Sequence, residues 1–363
     1  MWTSVCSVWL YREEGSAAMN KIKIGIPQLI IIAYLIILAV CISFTDISAI
    51  DVINDSFVKW CMNGVLVLSL VPMINIGAGR NFGLPVGICA GLVGMCIAIE
   101  LRLRGWSGLA VSMVVGSIVA VLFGVIYAAV LNRLKKNEEI IGTFVGFSFI
   151  PIMNVFWTIA PFSNRQMLYP IGGKGLRPKI SLNEYFGGVL DNSLRISVGG
   201  ISIPLGLMLF LLVLCIIVHL FFKTRIGNEM FAVAENESFA KLSGINISRY
   251  RTIAIVFSTV LAAIGICVYS QSYGFVELYN GPFMMAFPAV SAILIGGATS
   301  GKANVLQVLF GTYLYQTTFL LSVPVANELL IPEMAEVMRM IVTNGIILYA
   351  FLYEGVLKKN EKA

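Results

Sequence analysis

The chain has 363 residues, of which 58% are hydrophobic and only 12% are charged. Soluble domains carry about 25% charged residues, so this composition excludes a soluble globular enzyme and predicts a polytopic membrane protein. The net charge of +6 does not indicate nucleic-acid binding, because the basic residues lie in short connections beside apolar runs.

Residues 1–18 contain an apolar stretch that is too short for the core of a signal peptide, and charged residues follow it directly. Met19 then opens a basic start that runs into a full-length apolar segment. We therefore interpret residues 1–18 as a start-site extension and residues 19–363 as one transmembrane domain. The alternative, that Met1 is the true start, stays open.

Ten segments are long and apolar enough, or nearly so, to cross a bilayer, which takes about 20 residues. They are residues 25–45, 57–78, 82–101, 107–131, 140–161, 201–222, 252–274, 286–299, 303–322 and 334–354. Most Lys and Arg residues lie in alternate connections, which predicts that both termini are cytoplasmic. The predicted fold class is all-α, a polytopic membrane protein with about ten transmembrane helices.

Two Gly-dense stretches, 74–94 and 287–311, occupy corresponding places in the two halves of the chain. Interrupted segments in matching positions are typical of a substrate path at the interface between repeats. Glycine is also common wherever transmembrane helices pack closely. The pattern predicts two pseudo-repeated halves.

The longest external loop is predicted at residues 162–200, where Gly, Pro, Asn and Ser are frequent. One short helix is expected within it, near residues 181–190. Such a loop could contact a delivery protein, although a simple connection is the plainer interpretation.

Residues 223–251 form a polar stretch between two apolar spans, and the basic-residue rule places it in the cytoplasm. We call it the polar segment. Residues 230–242 are predicted to form one helix, with Met230, Phe231, Ala234 and Leu242 on one side and Glu229, Asn236, Glu237 and Lys241 on the other. Gly244 would end this helix. A helix this short is marginal in water, so it needs a neighbour.

The sequence GGATSGKA (296–303) matches a phosphate-binding loop except at its last position, where Ala303 replaces the hydroxyl residue that would hold magnesium. A nucleotide-binding sheet would also need further strands and a second acidic motif. We interpret the stretch as a turn of small residues between two membrane segments.

The polar segment resembles the cytoplasmic loop of permeases in bacterial ABC importers of the ribose and simple-sugar family. The matching positions are Thr224, Arg225, Gly227, Ala232, Asn236, Glu237, Leu242, Ser243, Gly244, Ile245 and Asn246. Residues 289–314 are similar to a second segment of that family, and GLPVG (83–87) resembles a third. In the third, Gly83 replaces an acidic residue and Pro85 a serine, which leaves open a less sugar-like, anionic solute.

The resemblance implies a transport subunit of the bacterial inner membrane that carries a monosaccharide or sugar-like solute and is not an enzyme. It implies no cofactor in this chain, because ATP and magnesium would be bound by a cytoplasmic ABC ATPase subunit. The other implied partners are a second permease copy or a paralogue, an extracytoplasmic solute-binding protein and membrane lipid, with no nucleic acid. The solute, and the choice between homodimer and heterodimer, stay open.

In that family the cytoplasmic loop carries a coupling helix that lies in a cleft of the ATPase. The ATPase-coupling residues implied here are Glu235, Asn236, Glu237, Phe239, Lys241, Ser243 and Gly244. We predict that Phe239 inserts into the partner, because a bulky residue on a helix is a common way to engage a groove. The alternative, that Phe239 packs on the chain's own membrane domain, stays open.

Polar residues inside membrane spans are costly and usually face a cavity or a neighbouring helix. The candidates for the translocation path are Asn75, Arg80, Asn81, Asn154, Gln271 and Asn344. Each is also a candidate for a hydrogen bond between helices.

Two other classes of function remain to be weighed. An ion-coupled secondary transporter would need carboxylates deep in the spans, where Asp and Glu are almost absent. A membrane enzyme would need a cluster of His, Asp, Glu or Cys near an interface. The chain has one histidine, and its seven cysteines lack metal-ligand spacing.

Overall fold

The computed structural model describes residues 26–42, 48–78, 83–134, 138–170, 175–298 and 302–329, together with positions 337 and 345. The predicted extension at residues 1–18 lies outside the described residues, as does all but two positions of the tenth predicted span. Helices form most of the described structure. They are α1 Ile26–Ile42, α2 Ala49–Leu68, α3 Val71–Asn75, α4 Leu84–Glu100, α5 Gly105–Arg133, α6 Glu138–Ile159, α7 Val189–Asn192, α8 Leu205–Lys223, α9 Arg225–Glu235, α10 Glu237–Leu242, α11 Ile247–Tyr273, α12 Gly281–Ile295 and α13 Val305–Leu329.

Five continuous helical stretches among the described residues are long and apolar enough to cross a membrane. They are Ile50–Asn75, Gly105–Arg133, Ile140–Ile159, Leu205–Lys223 and Ile247–Tyr273. Three shorter apolar helices accompany them, at Gln28–Ile42, Leu84–Glu100 and Gly281–Ile295. The coarse prediction of a helical, polytopic membrane protein is therefore confirmed.

Helices α4, α5 and α11 pack together at the centre of the bundle. A Cβ atom on Gly94 of α4 would lie 2.3 Å from the carbonyl oxygen of Ser112 in α5, so only glycine permits this approach. The hydroxyl of Thr259 in α11 donates to the carbonyl of Ala120 in α5 at 3.1 Å. Close backbone approach through small residues is how helices associate in a bilayer, where hydrophobicity alone does not draw them together.

Helix α4 has 17 residues and is buried along nearly its whole length. At 1.5 Å per residue it spans about 25 Å, which is shorter than the roughly 30 Å hydrocarbon layer. Helices α5, α6, α11 and α12 surround it. The third predicted span, 82–101, therefore corresponds to a short inner helix that meets protein on its sides instead of lipid.

The described residues also contain two small antiparallel ribbons, which were not predicted from the sequence. Strand β1, Lys179–Ser181, pairs with β4, Phe275–Glu277, while β2, Arg195–Val198, pairs with β3, Ile201–Pro204. Strand β3 occupies the start of the sixth predicted span, so helix α8 begins four residues late. The short helix expected near 181–190 is α7, at the end of that range. These strands lie at the end of the bundle opposite the polar segment.

Candidate functional site: the polar segment and the Gly-rich loops

The polar segment folds as two helices, and the prediction of one helix over 230–242 is wrong. Asn236 has an extended backbone, and its side-chain oxygen accepts a hydrogen bond from the amide of Phe239 at 3.0 Å. An Asn in this conformation ends α9 and caps α10, because its side chain satisfies an amide that the new helix leaves open. Gly244, with φ of +79°, follows the end of α10 as predicted.

One face of the polar segment is buried against the chain's own membrane helices. Met230 is fully buried and Val233 nearly so. The ring of Phe231 lies 5.5 Å from that of Phe222 at the end of α8, and Ala240 of α10 is buried as well. Burial of these apolar groups holds the segment in place, at about 25 cal/mol per Å² removed from water.

The opposite face is open. The side chain of Phe239 is 63% exposed and that of Leu242 is 88% exposed. Leu242 was predicted to share a face with Met230, but the break at Asn236 turns it away. All seven predicted coupling residues are exposed and lie within one stretch of ten residues: Glu235, Asn236, Glu237, Phe239, Lys241, Ser243 and Gly244.

Two Gly-rich loops meet the polar segment. We call the described residues 76–78 and 83 the first Gly-rich loop, and the described residues 296–298 and 302–304 the second. A Cβ atom on Gly77 would lie 3.3 Å from the Cα of Ala234 in α9. The ammonium group of Lys302 lies 3.7 Å from a carboxylate oxygen of Glu235. Both loops therefore contact α9 near its carboxyl end.

The loops are also joined to each other, through Asn75 at the end of α3. Its side-chain nitrogen donates to the carbonyl of Ala303 at 3.0 Å, and its side-chain oxygen accepts from the amide of Ala303 at 2.7 Å. Asn75 is 1% exposed. The last position of the apparent phosphate-binding motif thus has its backbone paired with a buried asparagine. The next residue, Asn304, accepts from the amide of Gln307 at the start of α13.

The other predicted path residues fall into three groups. Gln271 of α11 is fully buried, and its side-chain oxygen accepts from the amide of Leu190 in α7 at 3.1 Å. The side-chain oxygen of Asn154 in α6 is buried without a hydrogen-bond partner. Arg80, Asn81 and Asn344 lie outside the described residues. Asn75 and Gln271 therefore occupy opposite ends of the bundle and each bonds a distant backbone.

A cavity of about 260 Å³ lies at the end of the bundle opposite the polar segment. Asp191, Asn192 and Arg195 line it together with Ser202 of β3. Burial raises the pKa of Asp191, against the opposing effect of hydrogen bonds from Ser272 and Gln271. Sequence reasoning missed this group, because Asp191 lies in a loop whose composition indicates only a connection.

Comparison with known proteins gives a consistent result. Residues 62–350 match the family described as the permease component of the branched-chain amino acid transport system. The chain is 22% identical over 341 residues to the ribose import permease protein RbsC of Haemophilus influenzae, covering 92% of this chain and 94% of that protein. It is 25% identical over 261 residues to the nucleoside ABC transporter permease protein NupC of Lactococcus lactis, covering 68% and 75%.

A third relative is matched over a shorter length. The chain is 29% identical over 167 residues to the probable ABC transporter permease protein YphD of Escherichia coli, which is 45% of this chain and 48% of that protein. The chain thus spans about half the length of this relative. No solved structure matches the chain significantly.

Proposed function

From the premise that the chain belongs to the family of transport-system permease components, we propose that it forms the membrane path of an ABC importer for a sugar or sugar-like solute. An ABC ATPase subunit binds the exposed face of the polar segment and supplies the energy. The resemblance to ABC sugar permeases noted in the sequence is confirmed by the matched relatives. The chain is a multi-pass protein of the bacterial inner membrane.

The observation that carries the proposal is the exposed stretch from Glu235 to Gly244. Phe239 and Leu242 are largely exposed, although bulky apolar side chains in an aqueous loop usually gain stability by burial. The same segment is held firmly on its other face by Met230 and Phe231. A firmly attached helix with an open apolar tip and charged neighbours suits docking into a groove of another protein.

The orientation and number of spans extend the proposal. We place the polar segment and both Gly-rich loops in the cytoplasm and the β-ribbons outside, with ten spans and both termini cytoplasmic. This agrees with the Lys and Arg residues of the connections. It also places the cavity around Asp191 on the outside, where a binding protein would deliver the solute.

The proposed assembly contains two permeases, as a homodimer or with a paralogue, together with the ATPase subunits that bind ATP and magnesium and an external binding protein. The names of the relatives RbsC and NupC support ribose-like sugars and nucleosides as the solute class. Both kinds of solute carry a pentose with several hydroxyl groups.

The test is co-expression of this chain with a candidate ABC ATPase subunit from the same organism, followed by purification in nanodiscs and assay of uptake in proteoliposomes. We expect the ATPase to co-purify and Mg·ATP to drive import of D-ribose or uridine from the matching binding protein. Uptake driven by a proton or sodium gradient without ATP would instead support the alternative, an ion-coupled secondary transporter. That result, or a chain that binds no ATPase, would refute the proposal.

A further inference from the structure

The side chain of Asn75 joins two parts of the chain that are 228 residues apart in sequence. Its amide group forms two hydrogen bonds with the backbone of Ala303, one as donor and one as acceptor. We call this pair of bonds the amide clasp. Asn75 ends the helix that leads into the first Gly-rich loop, and Ala303 lies in the second, so the clasp connects the two loops.

The clasp is costly to break, because both partners are buried. Ala303 and Asn75 are each less than a tenth exposed. Removing the amide would leave the N–H and C=O of Ala303 without their partner, and an unsatisfied buried polar group costs about 1–3 kcal/mol. Asn75 is therefore unsuited to a role as a freely exposed solute contact in this conformation.

The second Gly-rich loop depends on side chains from other helices for its backbone hydrogen bonds. Gln307 of α13 donates to the carbonyl of Gly297 at 2.8 Å, and Gln28 of α1 donates at 2.8 Å to the carbonyl of Ile295, the last residue of α12 before the loop. With the clasp from α3, side-chain amides of three helices hold this loop and the residue that precedes it. We therefore expect the second Gly-rich loop to move together with these helices.

Helix α9 contacts α3, the helix that ends at Asn75. Phe231 borders a cavity of about 20 Å³ together with Asn75, Ala303 and His219. This space is about enough for one water, and the ring and the amide pair line it together. The contact of Ala234 with Gly77 and the ion pair of Glu235 with Lys302 add one contact to each loop.

We propose that Asn75 is a positioning residue for transport: it makes both Gly-rich loops follow α9 as one unit when the ATPase displaces the polar segment. This inference rests on the proposed function. Without the clasp, the two loops would lose the hydrogen bonds that join them. Among the described residues, α9 would then meet the first loop at Gly77, and it would meet the second at the exposed pair of Glu235 and Lys302 and at the small cavity that Phe231 lines. Exposed ion pairs contribute little, so the second loop would follow α9 less closely than the first.

The first experiment tests whether α9 and the first loop move together. In a Gly77→Cys/Ala234→Cys variant the two Cβ atoms would start 3.4 Å apart, close to the roughly 3.5–4.5 Å of disulfides. Oxidation with copper phenanthroline should form a disulfide between positions 77 and 234, detected as a linked pair of proteolytic peptides by mass spectrometry. Variants that carry only one of the two introduced cysteines control for reaction with the native thiols. We expect the oxidised variant to keep the uptake of its reduced form. Gly77 has a φ of +76°, which strains any side chain placed there, so uptake is compared within this variant, between its oxidised and reduced forms. Uptake that returns only with reductant would overturn the inference.

The second experiment removes the clasp. Asn75→Leu should lower the solute imported per ATP hydrolysed by about tenfold, while ATPase binding is unchanged. Asn75→Asp keeps an acceptor for the Ala303 amide and loses the donor to the Ala303 carbonyl. We therefore expect an amount of solute imported per ATP hydrolysed that lies between those of the wild type and Asn75→Leu.

The matched control is Asn164→Leu at the opposite end of the bundle. Asn164 is also buried and donates to a distant backbone carbonyl, that of Ile99, at 2.9 Å. The Asn164→Leu variant should have a lower melting temperature, as Asn75→Leu does. It should keep the wild-type amount of solute imported per ATP hydrolysed. If Asn75→Leu also keeps that ratio, the clasp is merely structural and the inference fails. Failure of the proposed function would already appear in the wild type, as absence of ATP-driven import.

Discussion

Replacing Phe239 by alanine should weaken ATPase binding and leave the permease itself intact. A Phe side chain presents roughly 200 Å² when fully accessible. The 63% exposure of Phe239 therefore leaves roughly 125 Å² of its surface for a partner to cover. At about 25 cal/mol per Å² this is about 3 kcal/mol, or about a hundredfold in Kd. This free energy is an upper limit, because the Cβ atom of alanine would still contact the partner.

The assay is titration of the purified ATPase onto the permease in nanodiscs, with the melting temperature of the permease measured alongside. Because Phe239 is exposed, its truncation should change the free energy of unfolding by less than about 0.5 kcal/mol. Phe144→Ala on α6 is the matched control: that ring is 71% exposed but lies on an apolar helix outside the polar segment. Equal Kd values for Phe239→Ala and the wild type would refute the reasoning, since the ring would then contribute nothing to docking.

Three further predictions concern packing, charge and helix capping. Gly311→Ala would place a Cβ 2.1 Å from the carbonyl oxygen of Ala292, so we expect a loss of about 1–3 kcal/mol, seen as a lower melting temperature in detergent. Asp191→Asn should raise the melting temperature at pH 7, because burial raises the pKa of Asp191 and its ionised form opposes folding. The native carboxyl takes up a proton as the pH falls through that raised pKa, so the advantage should shrink toward pH of about 4. Thr224→Ala removes the acceptor for the amide of Gly227 and should cost about 1 kcal/mol, measured as faster hydrogen exchange in α9.

Much of the fold could be predicted because apolar length is a local property. The helices α5, α6, α8 and α11 lie close to the predicted spans, since each must supply a continuous apolar surface and satisfy its own backbone in lipid. The short strands could not be predicted in the same way. Strand β1 pairs with β4, which lies almost a hundred residues later, and no local pattern specifies such a partner.

The candidate site, too, could be predicted from the sequence only in part. A resemblance over 224–251 was enough to select the coupling residues. The structure shows that each of them is exposed, and their role stays a prediction. The break at Asn236 was missed because the amphipathic pattern continues across it, while the capping bond depends on the backbone conformation of one residue. The position of Leu242 was wrong for the same reason.

The sequence by itself determined the class of the protein: its apolar runs require a membrane, and its short polar segment between two spans requires a neighbour to pack against. Only the tertiary structure shows which groups Asn75 bonds. An asparagine in an apolar run is equally consistent with a solute contact and a structural hydrogen bond. The choice depends on which backbone lies opposite, and that is decided by the packing of helices distant in sequence, which brings Ala303 to Asn75.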